Sequence, residues 1–483
     1  MTGAAAQTPA FGKATTHQNG MSMRNYRWLA VLCALLSGPV CAQGLSLWQF
    51  YQQAQQGDMR YAESRATYAE AKTLGAAARS AFLPKVTLDA NTTYNELTNH
   101  FLGGLPGFAF PSGTFDFNSN GYGLMVTQAL FDVRAIDAYE AAGSTVRAAR
   151  YRAELAHTEL ILAVARAYFG LLLAQSELHL AHAEQRALEI EMRSARHSFH
   201  LGTASITDTN EASARYDVVT AQALKAENAV RIARNRMMRM TNQPVQNLWR
   251  VNLADLPKPP PVNTLADALA RARHDSLTLA VARAQARAAG AQARAAVAAH
   301  FPRIEAVASY DYARAGNSIY GFGNVSRQKS IGIDLTWPIY QGGELEAASA
   351  KAAARARKAR YTLERAQRLV RYNVHQGFLN VRSAYAQIRA LETAERASRT
   401  ALASERLGAR IGIRSNVDVL AAQQQLYSAK RALAAAVFGY LMSRLELTAA
   451  ISHLAPADLR RLNRRLLPPR GSRQPIRAGA TTD

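Results

Sequence analysis

Residues able to carry covalent chemistry are sparse in this chain and do not converge by motif. The 11 histidines are scattered, with no H-E-x-x-H and no paired ligand spacing, so no metal site and no cofactor is expected. No Ser/His/Asp or paired-carboxylate arrangement can be located, so an enzyme is not expected. Both cysteines, Cys33 and Cys41, lie in an N-terminal stretch built like a secretory signal. Arg24 and Arg27 form a basic start, Trp28 to Leu36 an apolar run, and Val40-Cys41-Ala42 a short-residue exit, giving a signal peptide over residues 1–42 that starts at Met1, Met21 or Met23. Val40 argues against lipidation of Cys41. Without that segment the chain has no cysteine, which excludes disulfides, thiolate metal sites and a cysteine nucleophile together. What does recur is a glycine followed by Ser-x-x-Asp: Gly202 before Ser205–Asp208, and Gly412 before Ser415–Asp418, 210 residues on. A left-handed glycine ends one helix, and a serine with a carboxylate three residues later starts the next.

That recurrence is part of a duplication. Ser46-Leu47 reappears as Thr264-Leu265 and Leu83-Pro84 as Phe301-Pro302, both 218 residues on, whereas Leu130-Phe131-Asp132 reappears as Ile339-Tyr340-Gln341 after 209. The expected organisation is a first repeat over 43–243, a Pro-rich linker over 244–263, a second repeat over 264–454 and an Arg-rich, disordered tail over 455–483. Leu256-Pro257-Lys258-Pro259-Pro260-Pro261-Val262 cannot be helical.

Each repeat holds a period-two region. The strands are expected at about 84–96 and 121–131, then 302–312 and 329–340. Val86, Leu88 and Ala90 alternate with Thr87, Asp89 and Asn91; Ile331, Ile333 and Leu335 alternate with Gly332, Asp334 and Thr336. Runs of about ten residues, oily on one side and polar on the other with aromatics near the ends, suit either a membrane barrel wall or a soluble antiparallel sheet. Gly103, Gly104, Gly107 and Gly321-Phe322-Gly323 fall between strands and open no helix, so they are turn glycines and not phosphate cradles. The rest is helical. Arg134 to His200 contains no proline, Leu155, Leu162 and Phe169 step by seven, then Leu173, Leu180 and Ala187, and in the second repeat Val374, Val381 and Ile388. A helix of that length, about 100 Å, fits no compact domain. Each repeat is therefore a β-hairpin carrying a very long helical hairpin.

Four strands cannot close a barrel, and an open edge cannot sit in lipid. If the strands are in a membrane, copies must combine; three give twelve strands, enough for a lumen, whereas eight would be filled by side chains.

The two-fold repeat, Leu83-Pro84 and Phe301-Pro302, Pro338-Ile339-Tyr340-Gln341-Gly342-Gly343, the tips Ile206-Thr207-Asp208 and Gly412-x-Arg414-x-x-Val417-Asp418, and Lys258-x-x-Pro261 in order resemble the TolC family of outer-membrane exit ducts, from about Gln43 to Leu454. The resemblance implies a mostly α fold with a membrane β-barrel: a homotrimer whose twelve-stranded barrel continues as an α-helical barrel across the periplasm. It implies a periplasmic adaptor and an inner-membrane ABC transporter as partners, and no covalent chemistry. The likeness is greatest to type I secretion ducts, such as those exporting an adenylate cyclase–haemolysin toxin as unfolded protein cargo; multidrug efflux is the rival duct reading, and a periplasmic coiled-coil scaffold the rival of another class. By the same resemblance Thr207, Asp208 and Arg414 match positions that hold the periplasmic end shut, and Asp418 a ring of aspartates at the aperture. Capping alone also accounts for both aspartates. Ala409 and Ala421 depart from the family's tyrosine and second aspartate ring, implying a weaker lock and lower cation selectivity.

The balance of 58 basic to 35 acidic residues, net +23, permits an anionic partner without requiring one. Arg460, Arg461, Arg464, Arg465, Arg470, Arg473 and Arg477 are expected to form a mobile periplasmic tail and not a nucleic-acid arm, since an exported protein meets little nucleic acid.

Overall fold

The computed structural model describes residues 44–100, 113–203, 205–245, 247–251, 264–316, 322–452 and 454–468. The signal segment, the Pro-rich stretch 256–262, Gly103, Gly104, Gly107, Gly321 and Arg470, Arg473 and Arg477 lie outside the described residues. In chain order the elements are α1 (Leu47–Gly57), α2 (Met59–Arg79), β1 (Lys85–Asn99), β2 (Gly113–Phe131), α3 (Val133–His200), α4 (Ile206–Thr241) and β3 (Arg250–Val251). The second half repeats them as α5 (Leu265–Asp275), α6 (Leu277–Ala298), β4 (Arg303–Ala315), β5 (Asn324–Thr336), α7 (Glu344–Arg410) and α8 (Asn416–Ile451), followed by α9 (Pro456–Asn463) and β6 (Leu466–Leu467).

The sheet is antiparallel in the order β1-β2-β4-β5. Its register separates two chemistries. Val86, Val126, Ala308 and Ile331 share one row, and Leu88, Leu124, Tyr310 and Lys329 the next, all on one face. Asp89, Gly123, Asp311 and Gln328 share a row of the other. Gly121 and Gly123 keep that second face open: a Cβ at either would stand 2.8 Å from the side-chain oxygen of Asn91 or Asp311. The first face is uncovered, with Ile331 89%, Ile333 70% and Leu335 64% exposed. A soluble sheet would bury such a face; this one presents it to lipid.

The strands differ from expectation at their ends. β2 begins eight residues before the expected 121, and β1 runs three past 96. Toward the loop the backbone ladder continues unbroken, joined by side-chain hydrogen bonds between Thr92 and Asn120 (2.6 Å), Asn95 and Ser119 (2.9 Å) and Thr98 and Thr114 (2.9 Å). β5 runs Asn324–Thr336, not 329–340. It stops before Pro338, which has no N–H to donate to a ladder. Pro338 and Tyr340 therefore lie in a turn, where Gly342 and Gly343 take φ of 62° and 85° before α7 starts. Trp337 closes this turn by donating Nε1–H to the His300 carbonyl at 3.1 Å.

Below the sheet the helices form a single layer, α2-α3-α6-α7 near the strands and α4-α3-α8-α7 farther down. Residues Val374, Val381 and Ile388 are buried on α7 as expected, and the same seven-residue step continues through Glu395 and Leu402. On α3 the register is corrected. The buried line beyond Phe169 is Ala174, Ala181, Leu188 and Ala195, one residue on from Leu173, Leu180 and Ala187, which are half-buried. α3 contacts α4 on one side and α8 on the other. Small alanines at the closest approach let the backbones meet, and the bulkier leucines fill the flanks.

The main core lies mid-height. Tyr168 is fully buried; its hydroxyl lies 3.1 Å from both the Leu45 and Trp249 carbonyls, so the one proton is shared between them. Burial pushes its pKa up, and that of Tyr51 to about 12. The tail expectation is corrected here: residues 456–467 are folded. α9 buries Leu459 and Leu462, β6 pairs with β3, Arg460 sits 4.0 Å over the Trp48 ring, and Asn463 accepts the Trp48 N–H at 3.1 Å. Two long helices, α3 and α8, contain stretches apolar enough to span a membrane by length and composition. Their apolar residues, among them Ile161, Val164, Val437 and Leu441, belong to this core.

Candidate functional site: the hairpin tips and the concave wall

Both helical hairpins turn in the same way. Gly202 and Gly412 have φ of 74° and 77°, which only glycine adopts freely. Thr203 and Ile413 then donate back to the Ser198 and Gly408 carbonyls at 2.9 and 3.0 Å, satisfying the last turn of α3 and α7. The returning helices start in capping boxes at Ser205 and Ser415. Asp208 accepts the Ser205 N–H at 3.1 Å. Asp418 accepts from the Ser415 N–H (3.1 Å) and hydroxyl (2.8 Å). Those bonds, with Arg414 nearby, hold the Asp418 carboxyl below the ordinary carboxylate range.

The four expected gate residues divide between the tips: Thr207 and Asp208 on the first, Arg414 and Asp418 on the second. Among the described residues no hydrogen bond or ion pair joins the two sets. Arg414 instead folds back on its own hairpin, its Nε 3.3 Å from Glu405 Oε2. Gly408 makes room for it, since a Cβ there would stand 2.6 Å from Arg414 Cγ. Glu405 and Gly408 were missed from sequence; a glycine four residues before the turn glycine was the available signal. Ala409 packs beside Leu402, Val419 and Leu426.

A second unforeseen feature fastens hairpin to hairpin. Glu184 on α3 has a side chain only 3% exposed and pairs with Arg431 of α8 at 2.6 Å. About two turns below, Arg406 of α7 reaches Glu191 at 3.5 Å and the buried Gln423 at 3.2 Å. Leu420 of α8 completes the apolar cluster of Leu188, Ala212 and Val219.

The layer is curved. One trough of about 520 Å³ touches α2, α3, α6 and α7 together, which only the concave side of a four-helix layer allows. It carries Glu70, Arg152, Arg355 and Lys358, and shares Leu74, Thr145 and Gln292 with a second trough that reaches the strand end at Arg134 and Glu344. A concave wall of alanines interspersed with charged and amide side chains thus runs on toward the strands.

Known proteins share this plan. The family described as outer membrane efflux protein matches residues 50–243 and 268–453, the two repeats. The chain is 30% identical over 442 residues to the outer membrane protein TolC of Escherichia coli (strain K12), covering 89% of this chain and 86% of that one. It is 30% identical over 351 residues to the alkaline protease secretion protein AprF of Pseudomonas aeruginosa, covering 71% and 72%. The outer membrane channel CmeC of Campylobacter jejuni superposes with a TM-score of 0.73 at 15% identity, over 94% of this chain and 98% of that one. The oily strand face, the duplicated hairpins of helix and the two-repeat family match agree, and the chain belongs to the TolC family of outer membrane efflux and secretion channels, ducts that catalyse no reaction.

Proposed function

We propose that three copies of this chain close a twelve-stranded barrel and serve as the exit duct of a type I secretion system, passing an unfolded protein from an inner-membrane ABC transporter and its periplasmic adaptor to the outside. TolC-family channels are trimeric and work with an adaptor and an inner-membrane transporter. The observation that carries the duct reading is the opposition of the two sheet faces, an oily outer one and a polar inner one, above a concave helical wall. β1 and β5 are open edges, and each residue of β5 is exposed. Such edges require neighbouring copies in lipid. Similarity to a protease secretion protein supports protein cargo over drugs. At the narrow end, Asp418 would line the aperture, with Thr207, Asp208 and Arg414 holding it shut.

A deletion strain tests the cargo. Loss of a large secreted protein from the medium with unchanged resistance to dyes, detergents and antibiotics is the expected result. Hypersensitivity with normal secretion would replace this reading by multidrug efflux. The scaffold reading predicts release by urea washes and no heat-modifiable migration.

A further inference from the structure

Apart from Arg303, charge on β4 and β5 is sorted by sign and by face. Their carboxylates, Glu305, Asp311 and Asp334, all sit in inward rows. Arg314, Arg327 and Lys329 all sit in outward rows, in register with the oily residues below them. The ion pair recorded on these strands among the described residues, Arg303 with Glu305, is on the inner face. The outward cations are exposed instead, and two of them lie over aromatic rings. Arg327 lies 5.9 Å from the Tyr312 ring centre and Lys329 5.9 Å from that of Tyr310. Tyr312 in turn stacks on Tyr122 at 4.9 Å.

Height places this patch. Trp337 marks the helix-side end of the oily face. Lys329 and Arg327 stand eight and ten residues above it along β5. At about 3.3 Å per residue and a tilt of about 40°, that is roughly 20 and 25 Å. The apolar band of a membrane barrel is about 25 Å tall. Arg327 therefore stands at the boundary remote from the helices, the outer leaflet, and Lys329 reaches it by extending its stem. Protection of an edge strand would be met by one charge of either sign. Three of one sign on adjacent strands, beside tyrosines able to donate hydrogen bonds, form an anion site at headgroup level.

We infer that Arg314, Arg327 and Lys329 bind the phosphate groups of a phosphorylated glycolipid of the outer leaflet, whose acyl chains run down over Ile331 and Ile333. The site rests on the outer-membrane placement of the strands and not on the identity of the cargo.

The test uses the purified full-length channel in detergent, with bisphosphorylated lipid A, its phosphate-free counterpart and phosphatidylethanolamine as probes. Bound lipid is read by native mass spectrometry and the heat-dissociation midpoint of the oligomer on gels. Bisphosphorylated lipid A should bind and raise the midpoint. The phosphate-free form, or the double variant Arg327→Gln/Lys329→Gln, should lose on the order of tenfold in affinity or more, whereas Arg327→Lys/Lys329→Arg keeps it. Equal binding of the two lipid A forms, or undiminished binding by the double glutamine variant, overturns the site. So does a third result: the glutamine variant falls apart without any lipid while Glu96→Lys on its own does the same. The cations would then be serving a carboxylate on the neighbouring copy's β1.

Discussion

At the tip, the one carboxylate with a shifted titration is Asp418, among the described residues. The Asp418 carboxyl in the folded hairpin titrates below its unfolded value, because the Ser415 hydroxyl and N–H bind its charged form. Its capping contribution is therefore fully present above the ordinary aspartate pKa of about 3.9 and is lost as pH falls through the lower folded value. Cation preference in single-channel recordings should hold from neutral pH down past about 4, then fade, and Asp418→Asn should reduce it at every pH. An unchanged preference in that variant would remove Asp418 from the aperture and leave it a helix cap. Gly408→Ala addresses the other half of the tip. Its Cβ would occupy the space of Arg414 Cγ, 2.6 Å away, and turn the guanidinium away from Glu405. That pair is partly exposed, so its loss costs only about 0.5–1 kcal/mol. The expected reading is faster trypsin cleavage after Arg414 and higher single-channel conductance, reproduced by Glu405→Gln. If Gly408→Ala changes both and Glu405→Gln neither, crowding matters and the ion pair does not.

Between elements, the decisive contact is the Glu184–Arg431 pair, where a nearly sealed carboxylate meets its partner across α3 and α8. Removing the arginine alone strands a buried charge. Arg431→Ala should destabilise the joint between the hairpins by about 3 kcal/mol, seen as proteolysis within α7 and α8 at lower temperature. Glu184→Met/Arg431→Leu should recover most of it, because apolar residues of similar volume need no partner. A double variant no better than the single would mean that the charge pair itself holds the helices in register. Neither this pair nor the alanine line of α3 was legible in the sequence. Seven-residue spacing of leucines is visible there, but it marks the centre of a helix contact only when a helix has one neighbour, and α3 is flanked on both sides along its length. Val374, Val381 and Ile388 could be read directly because they are the apolar seam residues themselves. The strands were legible where one face is oily, and lost where both faces turn polar and Thr and Asn side chains reinforce the ladder.

For the whole molecule, the C-terminal segment shows how composition can hide structure. Residues 456–467 are rich in arginine, which reads as a solvated tail, yet Leu459, Leu462 and Leu466 fall three and four apart and all three are buried. Arg460 covers part of the mid-height layer, lying over Trp48 near the start of the described chain. The segment thus ties the first helix, the end of the first repeat and the end of the second into one layer, through the Trp48–Asn463 bond and the β3–β6 pair. Burial of a leucine contributes about 1.5–3 kcal/mol, so three of them match a sizeable part of the 5–15 kcal/mol that typically separates a folded domain from its unfolded chain. A chain ended after Leu454 should accordingly reach the membrane fraction poorly and give no heat-modifiable oligomer, whereas one ended after Pro468 should give both. The intermediate variant Leu459→Asp/Leu462→Asp keeps the length and the arginines and should behave as the shorter chain does. Normal assembly of that variant would assign the segment's contribution to its charges, and the mid-height layer would then be held by α1, α3 and α8 without it.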